Sequence, residues 1–161
     1  MQYPCQANIV KKYDVIIVGG GPAGIFAALE LSRVIGPKVL LIEKGRDIDG
    51  RDCPSRDSGS RCLSCSPCNP VCGLGGAGAF SDGKLTLSPR VGGQLGDYVG
   101  EKSAEDLIKY VDEIYLRFGA SDKLYGVGDE VDGLSRRASL AELRLIAVPL
   151  RHLGTEHCRS V

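Results

Sequence analysis

The stretch Tyr13-Asp14-Val15-Ile16-Ile17-Val18-Gly19-Gly20-Gly21-Pro22-Ala23-Gly24 decides how the rest of the chain is read. Its first six residues form a β-branched apolar run that stops at three glycines, the pattern of a buried parallel strand. Pro22 suits a first helical position, where its missing N–H is no loss. Ile25, Ala28, Leu29 and Ser32 then recur at helical spacing until Gly36-Pro37 ends the run. Lys38-Val39-Leu40-Leu41-Ile42 supplies a second apolar strand. Strand, helix and strand this close in sequence make a right-handed crossover between parallel strands. The predicted fold class is α/β: a Rossmann-like βαβ half with parallel strands, followed by a long Gly/Cys-rich loop and additional helices.

Gly19-x-Gly21-x-x-Gly24 lies directly after a strand and opens a helix, the context that gives this spacing its meaning. Gly19 permits a tight turn, Gly21 lets a pyrophosphate approach the backbone, and Gly24 lets helix and strand pack closely. Free backbone N–H groups and the helix dipole supply positive potential there without a basic side chain. Glu43 ends the second strand 24 positions after Gly19, where a carboxylate accepts hydrogen bonds from ribose hydroxyls and repels a 2′-phosphate, which disfavours NADP. The plain alternative is that the glycines only make turns and Glu43 is a solvated strand end. The residues themselves do not separate FAD from NAD, which share an adenosine diphosphate half.

Composition sets the limits around this motif. The 161 residues carry 20 Lys+Arg against 20 Asp+Glu, so no basic field exists to hold nucleic acid or an anionic membrane. Apolar residues at 43% and charged residues at 25% fit one folded domain rather than a disordered or fibrous chain. The uncharged apolar stretches, 15–18 and 39–42 among them, all fall far short of the ~18 residues of a membrane span. Met1 to Val10 lacks the pattern of a secretory signal, so a cytoplasmic, reducing compartment is expected.

Seven Cys is many for such a chain. Cys62, Cys65, Cys68 and Cys72 have the C-x2-C-x2-C-x3-C spacing in which thiolates wrap an iron–sulfur cluster. Gly73 stands where such proteins carry Pro. A closed zinc site, a redox-active disulfide using Cys65 and Cys68, and inert structural thiols are the alternatives, and the spacing leaves them open. Cys5, Cys53 and Cys158 fall outside the run and read as ordinary thiols.

Further along, 45–83 has no sustained period and reads as a long loop of the kind that wraps a ligand. Lys84 to Ser88 alternates like a short strand. Ser103 to Phe118 reads as an amphipathic helix with Ser103 and Asp106 as a capping box. Tyr125 to Gly133 reads as a Gly/Asp loop, and a last helix, capped by Ser139 and Glu142, is expected to run through Ile146 to Pro149. This divides the chain into a lead (1–12), the βαβ motif (13–45), the Gly/Cys-rich loop (46–84) and a mainly helical segment (85–161). His152 and His157 stand at no catalytic-triad spacing, so His152 reads as a capping or packing residue and the catalytic base stays unassigned.

Tyr13 to Gly24 and Leu41-Ile42-Glu43-Lys44-Gly45 resemble the N-terminal FAD site of the glutathione-reductase-like flavoprotein superfamily. Cys72-Gly73-Leu74-Gly75-Gly76-Ala77-Gly78-Ala79-Phe80-Ser81-Asp82-Gly83-Lys84 and Arg151-His152-Leu153-Gly154-Thr155 are similar to a branch of NAD(P)/FAD-dependent dehydrogenases. The resemblance implies a flavin-dependent oxidoreductase in which Gly19, Gly20, Gly21, Pro22, Ala23, Gly24, Glu43 and Lys44 hold FAD. It further implies that Arg51 and the loop of Gly75, Gly76, Ala77, Gly78, Ser81, Asp82, Gly83 and Lys84 border the cofactor. NAD(P)H as co-substrate, the substrate and the oligomeric state stay open. Such flavoproteins are longer, so this chain is expected to be an N-terminal fragment that leaves a sheet edge and an apolar face exposed and binds flavin weakly or not at all. An electron-transfer module built on the Cys run, and an inactive truncated product, are the competing expectations.

Overall fold

The computed structural model describes residues 11–56, 58–154 and 157–159. The lead through Val10 with Cys5, and Thr155, lie outside the described residues. The chain divides into two compact units, Met1–Ala77 and Gly78–Val161.

The first unit is the crossover. Strand β1 (Val15–Val18) leads through the glycine turn into helix α1 (Pro22–Ser32), and strand β2 (Val39–Ile42) returns parallel to β1. Val15 pairs with Val39 and Val18 with Ile42, so both strands reach the turn together. Pro22 at the helix start and the absence of charge in the first turn make α1 apolar on nearly every side, yet none of its residues is fully buried. Ile16, Val18 and Ile42 are likewise exposed, Val18 by 83%. The uncovered apolar face expected from the sequence is therefore present. A parallel sheet normally has both faces covered. Among the described residues no third strand joins this one.

Beyond β2 a 3-10 turn (Ile48–Gly50) leads into irregular chain up to a second 3-10 segment, Gly76–Phe80. The second unit pairs β3 (Lys84–Thr86) antiparallel with β4 (Leu150–His152), and α2 (Leu95–Val99), α3 (Glu101–Arg117) and α4 (Asp129–Leu140) lie between them in sequence. Ala79, Ala104, Ile114 and Leu153 form its small core.

Three sequence expectations need correction here. The helix expected from Ser139 to Pro149 is absent, and α4 instead occupies part of the stretch read as a Gly/Asp loop. Asp129, Glu130 and Asp132 crowd its first turn, where the helix dipole favours negative charge. Glu142 has φ 58, which ends the helix, and Pro149 favours extended chain before it. The capping box is also absent: α3 starts at Glu101 after Gly100, and Asp106 pairs with Lys102 at 2.9 Å instead. Strand β4, finally, was not foreseen, because three residues with Arg and His at their centre and end carry no apolar alternation. No described helix is long and apolar enough to cross a membrane.

Candidate functional site

The glycine turn has open space above it and close packing beneath. A Cβ at Gly24 would overlap the carbonyl oxygen of Gly19, so only glycine lets α1 approach the end of β1. Gly19 itself has φ +106, a conformation that L side chains rarely adopt. At Gly19 and Gly21, by contrast, an added Cβ would meet nothing within 4 Å. The amides of Gly21, Ala23 and Gly24 find no acceptor among the described residues. Three unclaimed N–H groups at a helix N-terminus suit an anion.

Glu43 stands beside this turn. Its carboxylate accepts the Gly20 amide at 2.6 Å and the Gly45 amide at 2.8 Å. These amides, Gly20 first and Gly45 second, hold its carboxyl below the ordinary glutamate range, so it is ionised at neutral pH. Lys44 is exposed beyond it.

Arg51, which the resemblance implies to border the cofactor, is buried against the 69–76 segment. It is 2% exposed and donates from Nε to the Asn69 carbonyl (2.9 Å), from Nη1 to Leu74 (2.6 Å), and from Nη2 to Pro70 (2.9 Å) and Gly76 (2.8 Å). The guanidinium thus faces the backbone of the 69–76 segment. That segment runs beside the turn: the Leu74 amide donates to Arg46 O at 3.1 Å, and the Gly75 amide to Gly20 O at 2.8 Å. Sequence reasoning gave Gly45 and Gly73 no site role, yet a Cβ on either would overlap the backbone of the other's segment. Their identity as glycines was the only available signal.

The loop expected at the cofactor divides between the two units. Gly75, Gly76 and Ala77 stay with the glycine turn, and a Cβ at Gly76 would stand 3.3 Å from Gly21 Cα. Gly78, Ser81, Asp82, Gly83 and Lys84 belong to the second unit. There Lys84 pairs with Asp82 at 2.8 Å, and this hydrogen bond holds the Asp82 carboxyl below its usual range. His152 packs edge-on against Tyr125, and its Nε2 is shielded from solvent with no hydrogen-bond partner among the described residues, 3.9 Å from Asp82 Oδ2.

The cysteine run does not converge. Cys62 and Cys65 are exposed, Cys68 and Cys72 half-buried, and all four are free thiols. Among the described residues no three His, Cys, Asp or Glu side chains approach closely enough to hold a metal ion. Cys65 instead lines a surface depression of about 490 Å³ with Arg46, Asp52 and Asn69.

Two parallel strands joined by a helix through this turn, with an ionised carboxylate at the second strand's end, define a Rossmann-like α/β unit. Residues 13–59 match the family model described as pyridine nucleotide-disulphide oxidoreductase, which supports that family for the segment. A protein of Clostridium beijerinckii described only as uncharacterized is 48% identical over 71 residues, 44% of this chain and 13% of the relative. A pseudooxynicotine dehydrogenase of a Pseudomonas species is 41% identical over 58 residues, 36% of this chain and 11% of the relative. The matched stretch is thus roughly a tenth of either relative's length. No solved structure matches.

Proposed function

We propose that this chain is the FAD-binding portion of a flavin-dependent dehydrogenase. The observation that carries the reading is the set of amides at Gly21, Ala23 and Gly24 that find no acceptor among the described residues at the head of α1, beside the open space over Gly21. In this reading the three amides hold the pyrophosphate without a basic side chain, and the α1 dipole adds to their potential. Glu43 accepts the adenine-side ribose hydroxyls with the lone pairs left free by Gly20 and Gly45, and its charge turns away a 2′-phosphate. Gly75, Gly76 and Ala77 border the pyrophosphate, because a side chain at Gly76 would crowd Gly21. FAD, once bound, supplies an acceptor for a hydride. The similarity to a pseudooxynicotine dehydrogenase supports that class of chemistry.

The test uses ADP, the half shared by dinucleotide cofactors, titrated into the ¹⁵N-labelled chain. Saturable shifts at Gly21, Ala23 and Gly24 are expected, with a Kd on the order of 0.1–1 mM. FAD should compete, and 2′,5′-ADP should bind at least about tenfold more weakly than 5′-AMP, from which it differs only by the 2′-phosphate, about 1.4 kcal/mol. Gly21→Val should abolish binding while leaving the fold intact, since its side chain would enter free space. Absence of saturable shifts at several millimolar ADP, or equal affinity for 5′-AMP and 2′,5′-ADP, overturns the proposal.

A further inference from the structure

We infer that Arg51 is a positioning residue that aims the Gly21 amide at the bound phosphate through a relay of backbone peptides, without touching the cofactor. The inference rests on the nucleotide reading of the turn. It gives the buried guanidinium a role different from the one the family resemblance implies.

The relay begins at Arg51 Nη1, which holds the Leu74 carbonyl at 2.6 Å. In a planar trans peptide the C=O and the following N–H point in opposite directions. Fixing the Leu74 oxygen on Arg51 therefore turns the Gly75 amide away from it, toward the Gly20 oxygen it meets at 2.8 Å. The same geometry applies once more. With the Gly20 oxygen held by Gly75, the Gly21 amide must face the opposite side, where no acceptor waits among the described residues. The Gly20 amide is pinned separately by Glu43 at 2.6 Å, so the residue before the turn is held at both its N–H and its C=O.

Arginine is required for this arrangement on geometric grounds. Three further bonds, to Asn69, Pro70 and Gly76, fix the guanidinium plane, and only a rigid fork of five donors reaches four carbonyls at once. Lysine offers three donors from one atom and can serve only part of the set. Close packing maintains the alignment, because Gly73 leaves no room for a Cβ against Arg51 Cδ (2.7 Å) or Nε (2.9 Å). The charge also matters: hydrogen bonds from an ionised donor are stronger than neutral ones and polarise the next bond in a chain.

Hydrogen exchange and ADP titration on the full chain test the relay with independent readouts. In Arg51→Ala the amides of Leu74 and Gly75 should exchange at least about tenfold faster, while the Gly19 amide, held by Ile42 O at 2.7 Å, keeps its protection. ADP should bind about tenfold more weakly, and the Gly21 shift on binding should shrink more than those of Ala23 and Gly24. Arg51→Lys should fall between wild type and Arg51→Ala on both readouts, and it stands in for the alanine variant should that one unfold. Lys102→Ala, on the exposed face of α3, should change neither. Wild-type protection at Gly75 in Arg51→Lys and Arg51→Ala overturns the relay, as does lost protection with unchanged ADP affinity. Failure of the wild-type chain to bind ADP overturns the nucleotide reading, whereas the exchange pattern judges the clamp with no ligand present.

Discussion

Each of the two units is organised from within by a buried arginine, and the two arginines do so in opposite ways. Arg51, in the first unit, is satisfied by four carbonyls of one irregular segment. Arg151, in the second, is 4% exposed and grips the Asp112 carboxylate with two donors, Nε–Oδ1 and Nη2–Oδ2 (2.8 Å), and the Ser121 carbonyl with Nη1 (2.5 Å). It thereby ties β4 to α3 and to the chain just after it. The surroundings differ as well. All four fully buried apolar side chains among the described residues, Ala79, Ala104, Ile114 and Leu153, belong to the second unit. The first unit is organised by glycines in close backbone contact and by a cation that orients peptides. An apolar core fixes where side chains lie but leaves amides engaged, whereas a site meant to grip an anion with its backbone needs amides left over.

The sharpest way to break this contrast is to remove the second unit's ion pair. Arg151→Ala leaves Asp112, 15% exposed, with an uncompensated charge, and should cost about 3–5 kcal/mol. Urea unfolding followed by far-ultraviolet circular dichroism of the helices measures it. Removing Asp112 as well, in Arg151→Ala/Asp112→Ala, should return part of the loss, since no orphan charge remains. A single-variant loss below about 1 kcal/mol would place this pair among surface ion pairs and dissolve the comparison.

The same contrast explains which parts were legible in the sequence. The crossover could be read because each of its determinants is local: β-branched runs in Val15–Val18 and Val39–Ile42, Pro22 at a helix start, and glycines at fixed offsets. The places of Gly24 against β1 and of Glu43 beside the turn could be read for the same reason, being set by distance from a strand end. Arg51 could not, because its partners lie 18 to 25 positions away in a segment without period. Nor could the Arg151–Asp112 pair, 39 positions apart, which depends on β4, a strand too short to show alternation. The misplaced helix at 139–149 shows the same limit, since Leu143 and Ile146 have helical spacing while Glu142 and Pro149 forbid the backbone. Spacing reports which faces could be apolar, and long-range partners decide which conformation is kept.

A smaller effect sharpens the picture of the first unit. Because the Gly20 and Gly45 amides favour ionised Glu43, its carboxyl titrates lower in the folded chain than in the unfolded one. Such a group contributes stability above its ordinary value, and the contribution is lost as pH falls through the lowered one. Protection of the Gly20 amide should therefore hold at neutral pH and decline only as pH falls through the lowered Glu43 value, beneath the ordinary glutamate range. Glu43→Gln should lower ADP affinity several-fold at pH 7 and remove the acid limb. An acid limb that persists in Glu43→Gln would trace it to another group.

The smallest expected difference lies between the thiols of the two units. Cys62 and Cys65 are exposed, whereas burial pushes the Cys158 thiol up, with Ser81 opposing through a hydrogen bond and the Asp82 charge adding to the rise. A raised thiol pKa means less thiolate at neutral pH, and thiolate is the reacting form. Iodoacetamide at pH 7 should therefore modify Cys62 and Cys65 several-fold faster than Cys158, with the gap narrowing above about pH 9, as read by peptide mass spectrometry. Equal rates would break the ordering. The same measurement tests the cysteine spacing. If Cys62, Cys65, Cys68 and Cys72 close around iron or zinc in solution, all four become slower than Cys158, because metal-bound thiolates are withheld from the reagent. A chelator then restores the order and releases stoichiometric metal. If Cys62 and Cys65 react fast with and without chelator, the run is a set of loop thiols, and the first unit's chemistry rests on its backbone amides.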